Sequence, residues 1–130
     1  MWALALALLG LAAGSGCGGA GSSPEAAVRA LARATRAGDA RAVYERLAPR
    51  TQARLAEAAR TATEQAAGRR TFRPEDMLSV GAAPPKWEPV RVRELERTGE
   101  RALVEVIGPE GQIQAVRTVR ERGHWYVELP

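Results

Sequence analysis

The stretch that decides the fold is Arg101–Pro130, RALVEVIGPEGQIQAVRTVRERGHWYVELP. Apolar residues alternate with polar or charged residues in three runs, which is the period-two pattern of half-buried β-strands. Turn signals separate the runs, at Gly108–Gly111 and again at Arg122–Gly123. These connections are too short for crossovers between parallel strands, so the pattern predicts an antiparallel meander.

A further strand precedes this stretch. From Trp87 the apolar period changes from 3.6 to 2, and Val90 and Val92 alternate with arginines. Thr98–Glu100 then predicts a tight hairpin into the strand Ala102–Ile107. The sequence therefore predicts a sheet of about four strands.

Helical signals fill the part of the chain before the strands. Ser23 can cap a first helix, with Pro24 at its first position and Gly38 after its end. Its apolar stripe contains Val28, Leu31, Ala32 and Thr35. Asp39 can cap a second, short helix that stops at Pro49. The face of this second helix carries Val43, Tyr44 and Leu47.

A third helix is predicted from Arg50 to Ala67 and closed by Gly68. One side of it carries Leu55, Ala58, Ala59, Ala62 and Ala66. Pro74–Leu78 predicts a single helical turn, and Gly81–Pro85 predicts a loop. Helices followed by an antiparallel sheet indicate an α+β domain, with the helices packed on one face of a curved sheet.

Three stretches carry a resemblance to a known superfamily. They are Ser23–Ala40, with its Gly-Asp break between two helices, the strand Ala102–Val106, and Arg120–Val127, with its charged turn, glycine and tryptophan. Together they resemble the nuclear transport factor two-like superfamily, and within it small bacterial lipoprotein members of unknown function. The resemblance spans nearly all of residues 23–130 and implies a cone-like space between helices and sheet.

The N-terminus predicts export. Met1–Ala13 is an uncharged apolar run of the length of a secretory signal core. The single Cys17 follows shortly after and resembles a bacterial lipobox, which implies a signal peptide 1–16 and a lipid-carrying Cys17. Residues 17–22 then form the lipidated cysteine and a flexible linker, and 23–130 form one domain. The implied partner is a bacterial membrane, either the outer membrane or the periplasmic face of another.

An alternative for the N-terminus stays open. Gly14 stands where a lipobox usually has Leu, and no Lys or Arg precedes the apolar run. An ordinary signal cut after Ala20 would discard Cys17 and leave a soluble secreted or periplasmic domain. Alternatively, Cys17 is an ordinary thiol of the fold. The lipoprotein signal and the ordinary secretory signal both predict that the domain lies outside the cytoplasm.

Composition excludes several function classes. The chain of 130 residues has 19 Lys and Arg, 15 Asp and Glu, one Cys and one His. One Cys excludes a disulfide scaffold and a cysteine-based zinc module, and one His excludes a multi-histidine metal site. We therefore predict no metal and no cofactor. Arginines are interleaved with acids rather than clustered, so no nucleic-acid partner is predicted.

The resemblance implies a pocket in the cone. We predict that its lining contains Leu31, Tyr44, Trp87, Val104 and Trp125. Large apolar residues are few for a domain that must also wall a cavity, so a small or filled cone is expected, plugged by Trp87 and Trp125. The same tryptophans could alternatively form a platform on which a ligand stacks.

No catalytic set stands out from the sequence. The two aspartates, Asp39 and Asp76, both lie where helix caps are expected, although Glu94 or Glu105 could face inward from a strand. The favoured hypothesis is a non-catalytic, envelope-tethered binding or scaffold module that docks a protein partner or a second copy through the sheet. The alternatives are a small isomerase- or dehydratase-like enzyme and a carrier of an apolar ligand.

Overall fold

The computed structural model describes residues 19–79 and 87–130. Three helices come first: α1 (Pro24–Arg36), α2 (Ala40–Arg46) and α3 (Pro49–Gln65). A 3₁₀ helix (Pro74–Ser79) follows, and then the strands β1 (Arg91–Thr98), β2 (Arg101–Ile107), β3 (Ile113–Glu121) and β4 (His124–Glu128). The strands pair in the order β1-β2-β3-β4, and every pair is antiparallel. The predicted α+β class and the meander are confirmed. The predicted signal peptide, Cys17 and the loop Gly81–Pro85 lie outside the described residues.

Helix α1 begins as its sequence predicts. The Ser23 hydroxyl oxygen accepts a hydrogen bond from the Ala26 amide at 3.0 Å, and Pro24 occupies the first helical position. Its buried apolar residues are Ala27, Val28, Ala30, Leu31, Ala32 and Ala34. Four of them, Ala27, Val28, Leu31 and Ala34, form one cluster with residues of the sheet. The chain leaves the helix through Gly38, whose φ of 67° favours glycine.

Helix α2 is capped by Asp39, whose carboxylate accepts from the Ala42 amide at 3.0 Å. It ends at Arg46, and Leu47 is already extended. Leu47 forms a parallel bridge to Val127, and the Ala48 amide donates to the Val127 carbonyl at 2.8 Å. This short extended segment covers part of the free edge of β4.

Helix α3 differs from its prediction at both the start and the buried face. Pro49 does not stop α2 but is the first residue of α3, where a proline costs no hydrogen bond. Ala59 is buried as predicted, but Ala58 is exposed. The reason is that α3 packs mainly on the 3₁₀ helix, which needs only a narrow apolar stripe.

The sheet buries one face against the helices. Its buried residues include Val92, Ala102, Val104, Val106, Trp125 and Val127, which form one cluster with Leu31, Val43 and Leu47. Val90 was expected to share the face of Val92, but it is 67 % exposed while Val92 is 8 % exposed. The chain bends at Val90 before the strand begins, so the alternation does not extend back to it.

The segment Gly19–Ser22 lies against the start of β4. The Trp125 amide donates to the Gly21 carbonyl at 2.9 Å, and the Ser22 amide donates to the Gly19 carbonyl at 3.0 Å. The edge of β4 is thus covered at Trp125 and at Val127 by two separate segments, which removes most of its capacity to pair with another strand.

Within the described ranges, no helix has the length and apolarity needed to cross a membrane.

Candidate functional site

The side of the sheet that faces away from the helices carries the candidate site, and we call it the outer face. Alternation along β2 buries Ala102, Val104 and Val106 and leaves the residues between them on this side. Its side chains on the four strands are Arg91, Arg93, Glu96, Thr98, Arg101, Leu103, Glu105, Ile107, Ile113, Ala115, Arg117, Val119, Glu121, His124, Tyr126 and Glu128. No helix of the described chain covers this side.

The strand register aligns four of these residues in one row across the sheet. Glu96 pairs with Leu103, Leu103 pairs with Arg117, and Arg117 pairs with Glu128. We call Glu96, Leu103, Arg117 and Glu128 the central row. Paired residues on adjacent strands have Cβ atoms roughly 4.5–5.5 Å apart. The row therefore places an apolar side chain between a carboxylate and a guanidinium.

A shallow depression of about 280 Å³ lies over the central row. It is lined by Glu96, Thr98, Arg101, Ala102, Leu103, Arg117, Thr118 and Glu128. The lining combines two guanidinium groups, two carboxylates and two hydroxyls with the apolar Ala102 and Leu103. Such a surface can hold a chain that presents charges of both signs beside an apolar side chain.

The charges of the outer face divide into paired and unpaired groups. Arg93 donates from Nε to the Glu105 carboxylate at 2.8 Å, and Arg101 Nη1 lies 3.8 Å from Glu128 Oε2. The side chains of Glu96 and Arg117 are exposed and make no ion pair or hydrogen bond with another described residue. These two opposite charges flank Leu103 and are available to a partner.

The five residues predicted to line a pocket lie in two environments. Leu31, Val104 and Trp125 are 4, 0 and 5 % exposed and belong to the core cluster. Trp87 packs on the edge of that cluster, and the Tyr44 hydroxyl donates to the Gln52 carbonyl at 3.4 Å. Neither the depression on the outer face nor a smaller one of about 90 Å³ beside α1 is lined by any of the five.

The acids considered as candidate bases have structural partners. Asp39 caps α2, and Asp76 accepts from the Arg73 amide at 2.8 Å within the first turn of the 3₁₀ helix. Glu94 binds the Arg97 guanidinium through both carboxylate oxygens, at 2.6 and 2.8 Å, and this contact holds the pKa of Glu94 below its usual range. The register places Glu94 on the side that faces the helices, opposite the buried Val104, and places Glu105 on the outer face.

One buried acid was not anticipated from the sequence. Glu75 is 8 % exposed and accepts from Arg41 Nη1 at 2.8 Å, which lowers the pKa of Glu75. The two residues are far apart in sequence, so no local pattern could have paired them. Elsewhere in the part of the chain that the structure describes, no three His, Cys, Asp or Glu side chains group as metal ligands would.

The central row was also missed by sequence reasoning. The alternation along β2 does predict that Leu103 and Val104 lie on different faces of the sheet, but only the register shows which charges flank Leu103.

Comparison with known proteins adds no relative: no family model matches the chain, and no match was found among curated proteins or among solved structures.

Proposed function

We propose that this protein is a bacterial lipoprotein whose folded domain is a non-catalytic binding module, with the outer face as its docking surface. The domain is proposed to be a small member of the nuclear transport factor two-like superfamily, and its partner is another protein or a second copy of the chain. The observation that carries the proposal is the central row, where the unpaired Glu96 and Arg117 flank Leu103 on an uncovered face.

The chemistry of the outer face supports docking of a polypeptide. Arginine and tyrosine are enriched in protein interfaces, and the face carries Arg117 and the half-buried Tyr126. Ile113 is 71 % exposed at one end of the same face. Apolar side chains among charges of both signs give affinity from burial and specificity from charge pairing.

The N-terminal sequence supports a membrane-tethered address. The apolar run Met1–Ala13 and Cys17 resemble a lipoprotein signal, and only Gly18 separates Cys17 from the described domain. Cys17 carries the lipid in this proposal, and the domain faces the periplasm or the cell surface. A tethered docking module recruits its partner to the membrane surface.

The packing favours docking over the two alternatives. An isomerase-like enzyme or an apolar-ligand carrier would use space between the helices and the sheet. Leu31, Val104 and Trp125 meet there in one buried cluster. Asp39 and Asp76 cap helical turns, so each carboxylate already has a structural partner.

Site-specific photo-crosslinking of the full-length protein in its own membrane tests the proposal. The photo-reactive residue replaces Ala115, which is exposed on the outer face, or Ala56, which is exposed on α3 and serves as the control. We expect a crosslinked species of one defined mass at position 115 and none at position 56. A species of twice the chain mass identifies a second copy, and any other defined protein mass identifies a different partner.

Charge reversal supplies the matched variants. Arg117→Glu is expected to remove most of the crosslink at position 115, because it turns a row of mixed charge into an acidic one. Arg50→Glu makes the same charge change on exposed α3 and should leave the crosslink intact. Equal crosslinking at positions 115 and 56, or none at either, would overturn the proposal, and a stoichiometric small-molecule adduct in native mass spectrometry would favour the carrier instead.

A further inference from the structure

The chain that leads to the proposed anchor is held on the domain at one defined point. Gly21 accepts a hydrogen bond from the Trp125 amide at 2.9 Å, in the first residues of β4. A Cβ atom built on Gly21 would lie 3.2 Å from His124 Nδ1 and 3.3 Å from the Trp125 carbonyl oxygen, so the backbones approach closely there. The sequence predicts a flexible linker over 18–22, and within this stretch Gly21 lies against the domain.

This contact limits how far the domain can stand from Cys17. Four residues span at most about 14 Å when fully extended, at 3.3–3.6 Å per residue. Cys17 is therefore within about 14 Å of Gly21, whatever path the chain takes. A lipid attached to Cys17 would bring the start of β4 close to the bilayer surface.

Two hairpin turns share this end of the domain with Gly21. The β3–β4 turn contains Arg122 and Gly123 and directly precedes β4. The β1–β2 turn lies beside it, because the Arg120 amide donates to the Glu100 carbonyl at 2.7 Å. The β2–β3 turn around Glu110 lies at the opposite end of β3, which is roughly 26 Å long at about 3.3 Å per residue.

We infer that the domain stands end-on at the membrane, with its β1–β2 and β3–β4 turns against lipid headgroups and its β2–β3 turn pointing away. The inference rests on the proposed lipid attachment at Cys17. The partner of this end is the headgroup layer of the bilayer that holds the anchor. In this orientation the strands run away from the membrane, and the outer face stays open to a partner.

The side chains of this end suit contact with headgroups. Arg122 is exposed at the tip of its turn and makes no ion pair or hydrogen bond with another described residue. Arg101 and Arg120 lie near it on the adjoining strand ends, but both are ion-paired: Arg120 Nε lies 4.0 Å from Glu100 Oε2, and Arg101 Nη1 lies 3.8 Å from Glu128 Oε2. Glu121 is a further acid at this end. These pairs leave little net positive charge at this end, so the short tether sets the orientation and Arg122 assists it.

Lipid-quenching of single fluorophores tests the orientation in the full-length protein, purified from its own membrane and placed in phosphatidylethanolamine–phosphatidylglycerol vesicles. The dye is attached to Glu121→Cys at the near end or to Glu110→Cys at the far end, both exposed sites. A spin label on the lipid headgroups is the quencher. We expect at least threefold stronger quenching at position 121 than at position 110.

A variant with a longer linker tests whether the short tether causes the end-on orientation. Ten Gly and Ser residues inserted between Gly18 and Gly19 lengthen the reach by up to about 35 Å. Quenching at position 121 should then fall towards the value at position 110. Unchanged quenching at position 121 in the lengthened protein would overturn the claim that the tether sets the orientation.

The wild-type chain separates failure of this inference from failure of the proposed function. An acylated Cys17 has no free thiol, so wild-type protein should take up no dye and should remain on the vesicles. If that holds but positions 121 and 110 are quenched equally, or neither is quenched, the end-on orientation is wrong and the lipid anchor stands. Dye uptake by wild-type protein, or its release into solution, overturns the anchor and the orientation together.

Discussion

The guanidinium carbon of Arg97 lies 5.0 Å from the centroid of the Trp125 ring, although their strands β1 and β4 are not neighbours in the sheet. Glu94 fixes the guanidinium through two hydrogen bonds, which raise the pKa of Arg97. The contact joins the first and last strands on the side of the sheet that faces the helices. A planar guanidinium can stack on the ring and bind both carboxylate oxygens at once, which an ammonium group cannot do.

We therefore predict that Arg97→Lys lowers the midpoint of thermal unfolding, although it keeps the charge. Arg93→Lys is the matched control, since Arg93 lies on the same strand and forms an ion pair of similar exposure with Glu105, but its described contacts include no aromatic ring. Circular dichroism on heating measures both variants. Equal midpoints for the two would show that stacking on Trp125 adds nothing to stability.

Leu47 is the side chain whose truncation should damage the core most. It is fully buried, and it lies in the extended segment that bridges to Val127. Leu47→Ala is predicted to lower the free energy of unfolding by about 2–5 kcal/mol, from lost burial and the cavity left behind. Ile113→Ala removes a side chain that is 71 % exposed and should change it by less than about 0.5 kcal/mol. Chemical denaturation of both variants measures the difference, and a Leu47→Ala loss below about 1 kcal/mol would contradict the packing.

Local chemistry made much of the fold predictable. The caps at Ser23 and Asp39 act over three residues, and turn residues such as Gly123 must sit between strands, so both are readable without tertiary structure. The period-two alternation from Ala102 onwards was sufficient for the meander.

The parts that could not be predicted depend on residues distant in sequence. The covering of β4 by Leu47 and Gly21 joins segments about 80 and 100 residues apart, and no local period reports such contacts. The central row depends on register, which a shift of one residue would change completely. The prediction for Ala58 is wrong because α3 packs on a small partner, so only a narrow stripe of the helix is buried. The prediction for Val90 is wrong because this residue lies before the start of β1, where the alternation of the strand does not yet apply.

Asp39 offers a test that separates the capping oxygen of its side chain from its charge. Asparagine is as good an N-cap as aspartate, whereas alanine has no acceptor for the Ala42 amide. Asp39→Ala is predicted to lower the free energy of unfolding by about 1 kcal/mol, and Asp39→Asn to lower it by much less. Denaturant titration compares the two. A large loss in the asparagine variant would mean that the charge of Asp39, rather than its capping oxygen, is what the fold requires.

The ion pair between Glu75 and Arg41 predicts an acid-dependent loss of stability. Hydrogen bonding from Arg41 is the largest cause of the lowered pKa of Glu75, so the folded protein binds this proton less readily than the unfolded chain, whose glutamate pKa is about 4.3. The stabilisation is therefore complete above that value and is lost as the pH falls through the lower folded pKa. Glu75→Gln should be less stable than wild type at pH 6, and this difference in the free energy of unfolding should narrow steadily below about pH 4.5.

Glu110→Gln, which changes an exposed turn residue, is the control for removing one negative charge. A gap between Glu75→Gln and wild type that stays constant from pH 6 to pH 3 would show that Glu75 acts through packing and not through its charge.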